Sequence, residues 1–189
     1  SGLEYDPGIF SDRAEVLALA QAAADQGGRY ISHIRSEDRW FWDAIDEIVT
    51  IGRVTRMPVQ ISHVKLAMAP LWGQADSLLA LLNAARAQGV NVTADIYPYP
   101  YWHSTLTVLF PARDYTDRRE AELAVTEIST PAGIRLGKYR PNPEFAGKTL
   151  AEIAPMLGMD SVSALIELIR RSEQLRRAIR ALLVEIEPR

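Results

Sequence analysis

Three short apolar runs recur in this chain about every thirty residues, and each closes on a side chain able to bind a metal or move a proton. They are Tyr30-Ile31-Ser32-His33-Ile34-Arg35, Val59-Gln60-Ile61-Ser62-His63-Val64-Lys65 and Val90-Asn91-Val92-Thr93-Ala94-Asp95. Helix-like stretches fill the intervals between them. One βα unit of a parallel barrel takes about 30 residues, since roughly 250 residues make eight, and such a barrel gathers its chemistry at the C-terminal ends of its strands. The repeat therefore predicts an α/β fold with His33, His63 and Asp95 at one end of a parallel sheet.

The intervals read as amphipathic helices. Ser11 is expected to cap the first, with Asp12 and Glu15 in its first turn. Val16, Leu17, Leu19, Ala20 and Ala23 keep the helical period, and Gly27-Gly28 ends it. A second helix is expected from Asp38 to Arg53, on the period of Trp42, Ile45, Ile48, Val49 and Val54. Met57 to Val64 reads as a strand entered through Pro58. A third helix covers residues 74–88, with Leu78, Leu79, Leu81, Leu82 and Ala85 inward and Gly89 closing it. Near-continuously apolar strands alternating with helices predict a parallel sheet covered on its outer side. Residues 1–100 thus read as βα units of a partial (β/α)8 TIM barrel. An open doubly wound sheet has the same alternation, but no Gly-x-Gly-x-x-Gly and no Walker loop supports its nucleotide-binding version.

Beyond Asp95 the regularity stops. Pro98, Pro100, Pro111, Pro131, Pro141 and Pro143 punctuate the region, so 101–148 reads as an irregular and helical insertion, helical over Asp117–Ile128. Residues 149–189 read as C-terminal helices: one opened by a Thr149–Glu152 capping box, one capped by Ser161, and an arginine-rich helix from Gln174 to Arg189. The last has Leu175, Ile179, Leu182 and Leu183 on one side.

Composition excludes several classes. A net charge of −3 and a pI near 5.7 give no electrostatic reason to expect nucleic acid or an anionic membrane. No run approaches the eighteen or more apolar residues of a membrane span. Without cysteine, neither disulfides nor thiolate zinc sites are possible, which agrees with a cytoplasmic protein.

Two imidazoles at equivalent ends of consecutive parallel strands would point into one mouth, an arrangement that suits zinc; a lone strand histidine is more often a structural residue. Lys65 lies two residues beyond His63, and Arg35 two beyond His33, on the same side of their strands. Their heads are expected to face a substrate anion such as a carboxylate, or else to pair with Glu37, Asp95 or another acid. Asp95 is expected either to hold a ligand histidine by its far nitrogen or to cap the following loop. Tyr5 could offer a phenol to a substrate or simply pack. Trp102 and His103 read as packing and solvent-facing residues.

Together, Gly2-Leu3-Glu4-Tyr5-Asp6-Pro7-Gly8, Gly28 to Arg35, Gln60 to Lys65 and Asp95-Ile96-Tyr97-Pro98-Tyr99 resemble, in order and spacing, the N-acyl-D-amino-acid deacylases (D-aminoacylases) of the amidohydrolase superfamily. The resemblance covers about residues 1–110, with a weaker match over Pro141–Ile169. It implies a zinc-containing (β/α)8 barrel of metal-dependent amidohydrolase type that hydrolyses the amide of a small-molecule N-acyl-D-amino acid. It further implies that His33 and His63 are zinc ligands and that Lys65 and Tyr5 bind the substrate α-carboxylate.

The chain departs from the family pattern in lacking its His-x-His pair and the catalytic aspartate of its last strand. No catalytic residue is therefore assigned within this chain, and the missing elements are expected before Ser1 and after Arg189. The chain reads as the middle of a barrel, expected to form a homo-oligomer or to associate with the rest of the barrel. The alternatives are a catalytically inactive truncated module that self-associates, and a dihydroorotase-like cyclic amidohydrolase.

Overall fold

Asp12, not Ser11, caps the first helix. Its side chain accepts the Glu15 N–H at 2.7 Å and opens α1 (Arg13–Ala24), while the Ser11 hydroxyl donates to the Gly8 carbonyl at 2.6 Å. The computed structural model describes the backbone of residues 1–186 and the side chains of residues 1–176. These fall into two compact units, residues 1–103 and residues 104 onward.

In the first unit, strands β1 (Tyr30–Ser32), β2 (Val59–Ile61) and β3 (Val92–Ala94) alternate with α1, α2 (Phe41–Thr55) and α3 (Ala75–Ala87). The sheet is parallel throughout, in the order β1-β2-β3. Each strand is only three residues long, shorter than the hydrophobic runs suggested, so both histidines stand beyond the last residue of their strands. Val59, Ile61 and Val92 are buried with Phe41, Ile45 and Ile48 of α2. Helix α2 starts at Phe41 because Ser36 and Asp38 form a hydrogen-bonded turn before it. It packs closely on β2 through Gly52, where a Cβ would come within 3.0 Å of the Val59 and Val90 side chains. Val54 and Leu79, expected inward, are exposed. In α3 only the narrow Leu78–Leu82–Ala85 stripe is buried, since an outer helix meets the sheet along one line.

The row Ile31, Gln60 and Thr93, in register across the strands, is not buried. Parallel sheets are ordinarily covered on both faces. Beside β1, Gly2 pairs in parallel with His33, and the Leu3 N–H donates to the His33 carbonyl at 3.1 Å. That pairing brings the Glu4–Tyr5 segment to the ends of the strands.

The second unit holds α4 (Arg118–Leu123), continued by a wider turn at Ala124–Ile128, then α5 (Leu150–Met156) and α6 (Ser161–Ile186). Phe110, Ala121, Ala124, Leu150, Ile153, Leu165, Leu168 and Ile169 share its core. Asp160 rather than Ser161 caps α6, accepting the Ser163 N–H at 2.9 Å. The helix runs on through Gln174, so no separate helix begins there; the side chains of Ile179, Leu182 and Leu183 lie outside the described residues. No helix among the described residues is long and apolar enough to cross a membrane.

The Thr149–Glu152 capping box forms as the sequence predicts. Thr149→Ala should cost about 1 kcal/mol, read as a lowered urea midpoint. Hydrogen bonds from the Thr149 N–H and hydroxyl hold the Glu152 carboxyl below the ordinary carboxylate range. Its contribution is therefore present above that range and is lost as pH falls through it, so the Thr149→Ala deficit should shrink in acid.

Candidate metal centre

His33 follows β1 directly, and its backbone is held by pairing with residues 1–3; its N–H donates to the Ser1 carbonyl at 3.0 Å. His63 stands two residues past β2 with φ of 39°, in the left-handed region. A non-glycine residue there costs about 1–3 kcal/mol and persists only when its surroundings enforce it. Asp95 does so: its carboxylate accepts the His63 N–H at 2.6 Å and the Gln60 amide at 2.5 Å, bonds that hold its pKa below the usual range. Asp95 thus serves His63 through the backbone. The expected bond to the ring does not form, because the ring's far nitrogen faces Glu37 and Lys65 instead.

The strand ends bring His33, Glu37 and His63 together, with one possible ligand atom from each within 4.8 Å of the others. His33 Nδ1 lies 3.1 Å from His63 Nε2 and 3.9 Å from Glu37 Oε1. Glu37 Oε1 is 3.2 Å from His63 Nδ1 and accepts from Lys65 Nζ at 2.5 Å. His33 and Glu37 are buried, with side chains 6% and 9% exposed. Burial lowers the His33 pKa to about 4, so its ring is neutral at pH 7, the form that can ligate a metal. Burial pushes the Glu37 pKa up, opposed by the charge and hydrogen bond of Lys65. Two ligands of a tetrahedral zinc, each about 2.0–2.1 Å from the ion, stand roughly 3.3 Å apart. The imidazole spacing fits that requirement, and a nitrogen–carboxylate donor set suits zinc.

Of the other expected residues, Tyr5 and Lys65 reach this cluster. The Tyr5 hydroxyl is 3.3 Å from His33 Nδ1, and Lys65 Nζ is 2.9 Å from His63 Nδ1. Arg35 does not. Its guanidinium makes two 2.8 Å bonds to Glu47 and donates to the Ser11 carbonyl at 2.7 Å, which fixes β1 to α2. His103 is exposed, as expected, and Trp102, expected to pack, is 39% exposed. Two acids not expected as site residues join the cluster. Glu37, which the sequence offers as an ion-pair partner, stands four residues after His33, and that spacing is its signal. Glu4, whose Oε2 lies 2.5 Å from His33 Nε2, reaches the ring only through the pairing of Gly2 with His33 and carries no local signal.

Fold and cluster together define a parallel α/β unit bearing a largely buried histidine–carboxylate group, of a kind that could hold a metal ion, at its strand ends. No family model matches the chain. Over 165 residues it is 39% identical to an N-acyl-D-glutamate deacylase of Alcaligenes xylosoxydans xylosoxydans, a stretch covering 87% of this chain and 30% of that protein. A D-aminoacylase of the same organism is 30% identical over 168 residues, 89% of this chain and 31% of its own length. Among solved structures, an N-acyl-D-glutamate deacylase from Bordetella bronchiseptica, complexed with zinc and a phosphonate mimic of the tetrahedral intermediate, superposes with a TM-score of 0.71 at 36% identity. That match covers 88% of this chain and 31% of the other. A D-aminoacylase crystal structure gives 0.69 at 29% identity, with the same coverage of 88% and 31%. The chain is therefore a partial match to the N-acyl-D-amino-acid deacylases, spanning about 30% of the length of the curated relatives it matches.

Proposed function

We propose that this chain supplies part of a zinc site in a (β/α)8 barrel, and that the whole protein hydrolyses the amide bond of N-acyl-D-amino acids. The observation that carries this reading is the convergence of His33, Glu37 and His63 at consecutive parallel strand ends, in a chain related to such deacylases. Zinc bound there supplies a Lewis acid that polarises a scissile carbonyl and acidifies water. Tyr5 and Lys65 flank the cluster, from the side of His33 and of His63 respectively. A phenol and an ammonium so placed suit a substrate carboxylate, with Lys65 exchanging Glu37 for the incoming anion. Arg35 takes no part, its guanidinium being committed to Glu47. The uncovered row Ile31, Gln60 and Thr93 supports closure by further strands of the barrel, from elsewhere in the protein or from a second copy. The same row favours, as a second reading, an inactive module that self-associates.

Metal analysis separates these outcomes from failure of the site. After dialysis against trace zinc, the chain should retain about one ion per molecule; a well-folded, metal-free chain would overturn the site. The isolated chain should not turn over N-acetyl-D-amino acids, N-acetyl-D-glutamate included. Turnover would show that the base does lie within it.

A further inference from the structure

The Glu4 side chain is 12% exposed, with Oε2 lying 2.5 Å from His33 Nε2 and Oε1 accepting the Glu37 N–H at 3.5 Å. The two nitrogens of that ring have different neighbours. Nδ1 faces Tyr5 Oη at 3.3 Å and His63 Nε2 at 3.1 Å, both able to donate a proton. Nε2 faces the Glu4 carboxylate at 2.5 Å, whose oxygens are hydrogen-bond acceptors. The carboxylate oxygen at 2.5 Å favours the proton on Nε2, which leaves the Nδ1 lone pair on the side of His63 and Glu37.

We propose that Glu4 is a positioning residue, whose carboxylate accepts the Nε2 proton of His33 and so presents Nδ1 as the metal-donating atom. The inference rests on the metal reading above and extends it to a residue outside the ligand group. A carboxylate behind a ligating imidazole fixes its tautomer and orientation and makes it more basic; loss of such a partner typically costs 10–100-fold in metal affinity. Two features suit Glu4 to this task. The Gly2–His33 backbone pairing places it two residues beyond a fixed point. Gly8 then lets the loop fold back, because a Cβ there would stand 2.2 Å from the Gly2 carbonyl oxygen.

The test has two parts. Nitrogen-15 NMR of the metal-free chain at pH 7 should show His33 protonated on Nε2, and Glu4→Ala should shift the ring toward a mixture of tautomers. Competition with a chelating dye should show zinc binding about 10–100-fold weaker in Glu4→Gln, which keeps the size but loses the charge, and partly restored in Glu4→Asp. A wild-type ring protonated on Nδ1, or unchanged zinc affinity in Glu4→Gln, would overturn the proposal. Should the wild-type chain take up no zinc, the metal reading fails, and the tautomer still decides the role of Glu4. Should the Glu4 variants not fold, the wild-type spectrum alone decides it.

Discussion

Alanine at His63 should leave a folded chain that retains no zinc after dialysis. The His63 side chain is 32% exposed, so its truncation opens little buried space, yet it removes one of three neighbouring donors. Glu37 then keeps Lys65 as its partner at 2.5 Å, and a neutralised carboxylate beside a single imidazole is a poor cation site. His33→Ala should lose the metal as completely, and with it some stability. His33 is buried, and its removal takes the imidazole partner from the Glu4 Oε2 atom, 2.5 Å away, at a cost of about 1–3 kcal/mol. Metal content by mass spectrometry and melting by circular dichroism check both variants. Stoichiometric zinc in a folded His63→Ala chain would remove that residue from the ligand set.

The largest loss of stability is expected at Glu47, outside the His33–Glu37–His63 cluster. This acid is 4% exposed on α2 and receives two bonds from Arg35 at 2.8 Å, bonds that hold the guanidinium pKa above its ordinary value. Breaking a fully buried pair from one side leaves an uncompensated charge and costs about 3–5 kcal/mol, an upper figure here because Arg35 is 23% exposed. Glu47→Ala should therefore lower unfolding free energy by up to about that amount, measured in urea. Replacing both partners, Arg35→Met with Glu47→Leu, should recover most of it, because two apolar side chains of similar size need no charge compensation. The same pair assigns Arg35 to the structure. If Glu47→Ala were as stable as wild type, the arginine would be free for another role.

The contrast between Arg35 and Lys65 shows where reading the sequence stops. Both basic residues follow a strand-end histidine by two positions, and nothing local distinguishes them. Lys65 enters the cluster while Arg35 turns to α2, because an acid on the helix, Glu47, lies within reach of one and not the other. Asp95 was legible as a partner of His63, but its hold on the backbone was not: it depends on the left-handed turn at His63, a conformation that a histidine codon does not announce. Glu37 lay within sight, close in sequence to His33. Glu4 did not, since its approach depends on pairing across some thirty residues.

By itself the sequence determined the alternation of helix and strand, the thirty-residue repeat that sets His33 and His63 at matching strand ends, and the capping box at Thr149. All of these rest on local periodicity or on contacts a few residues apart. Only the tertiary structure decided which acids meet those histidines and which cation joins them. Such meetings are set by strand register and by the return of the Gly2–Tyr5 segment beside β1, and these depend on packing between residues distant in the chain.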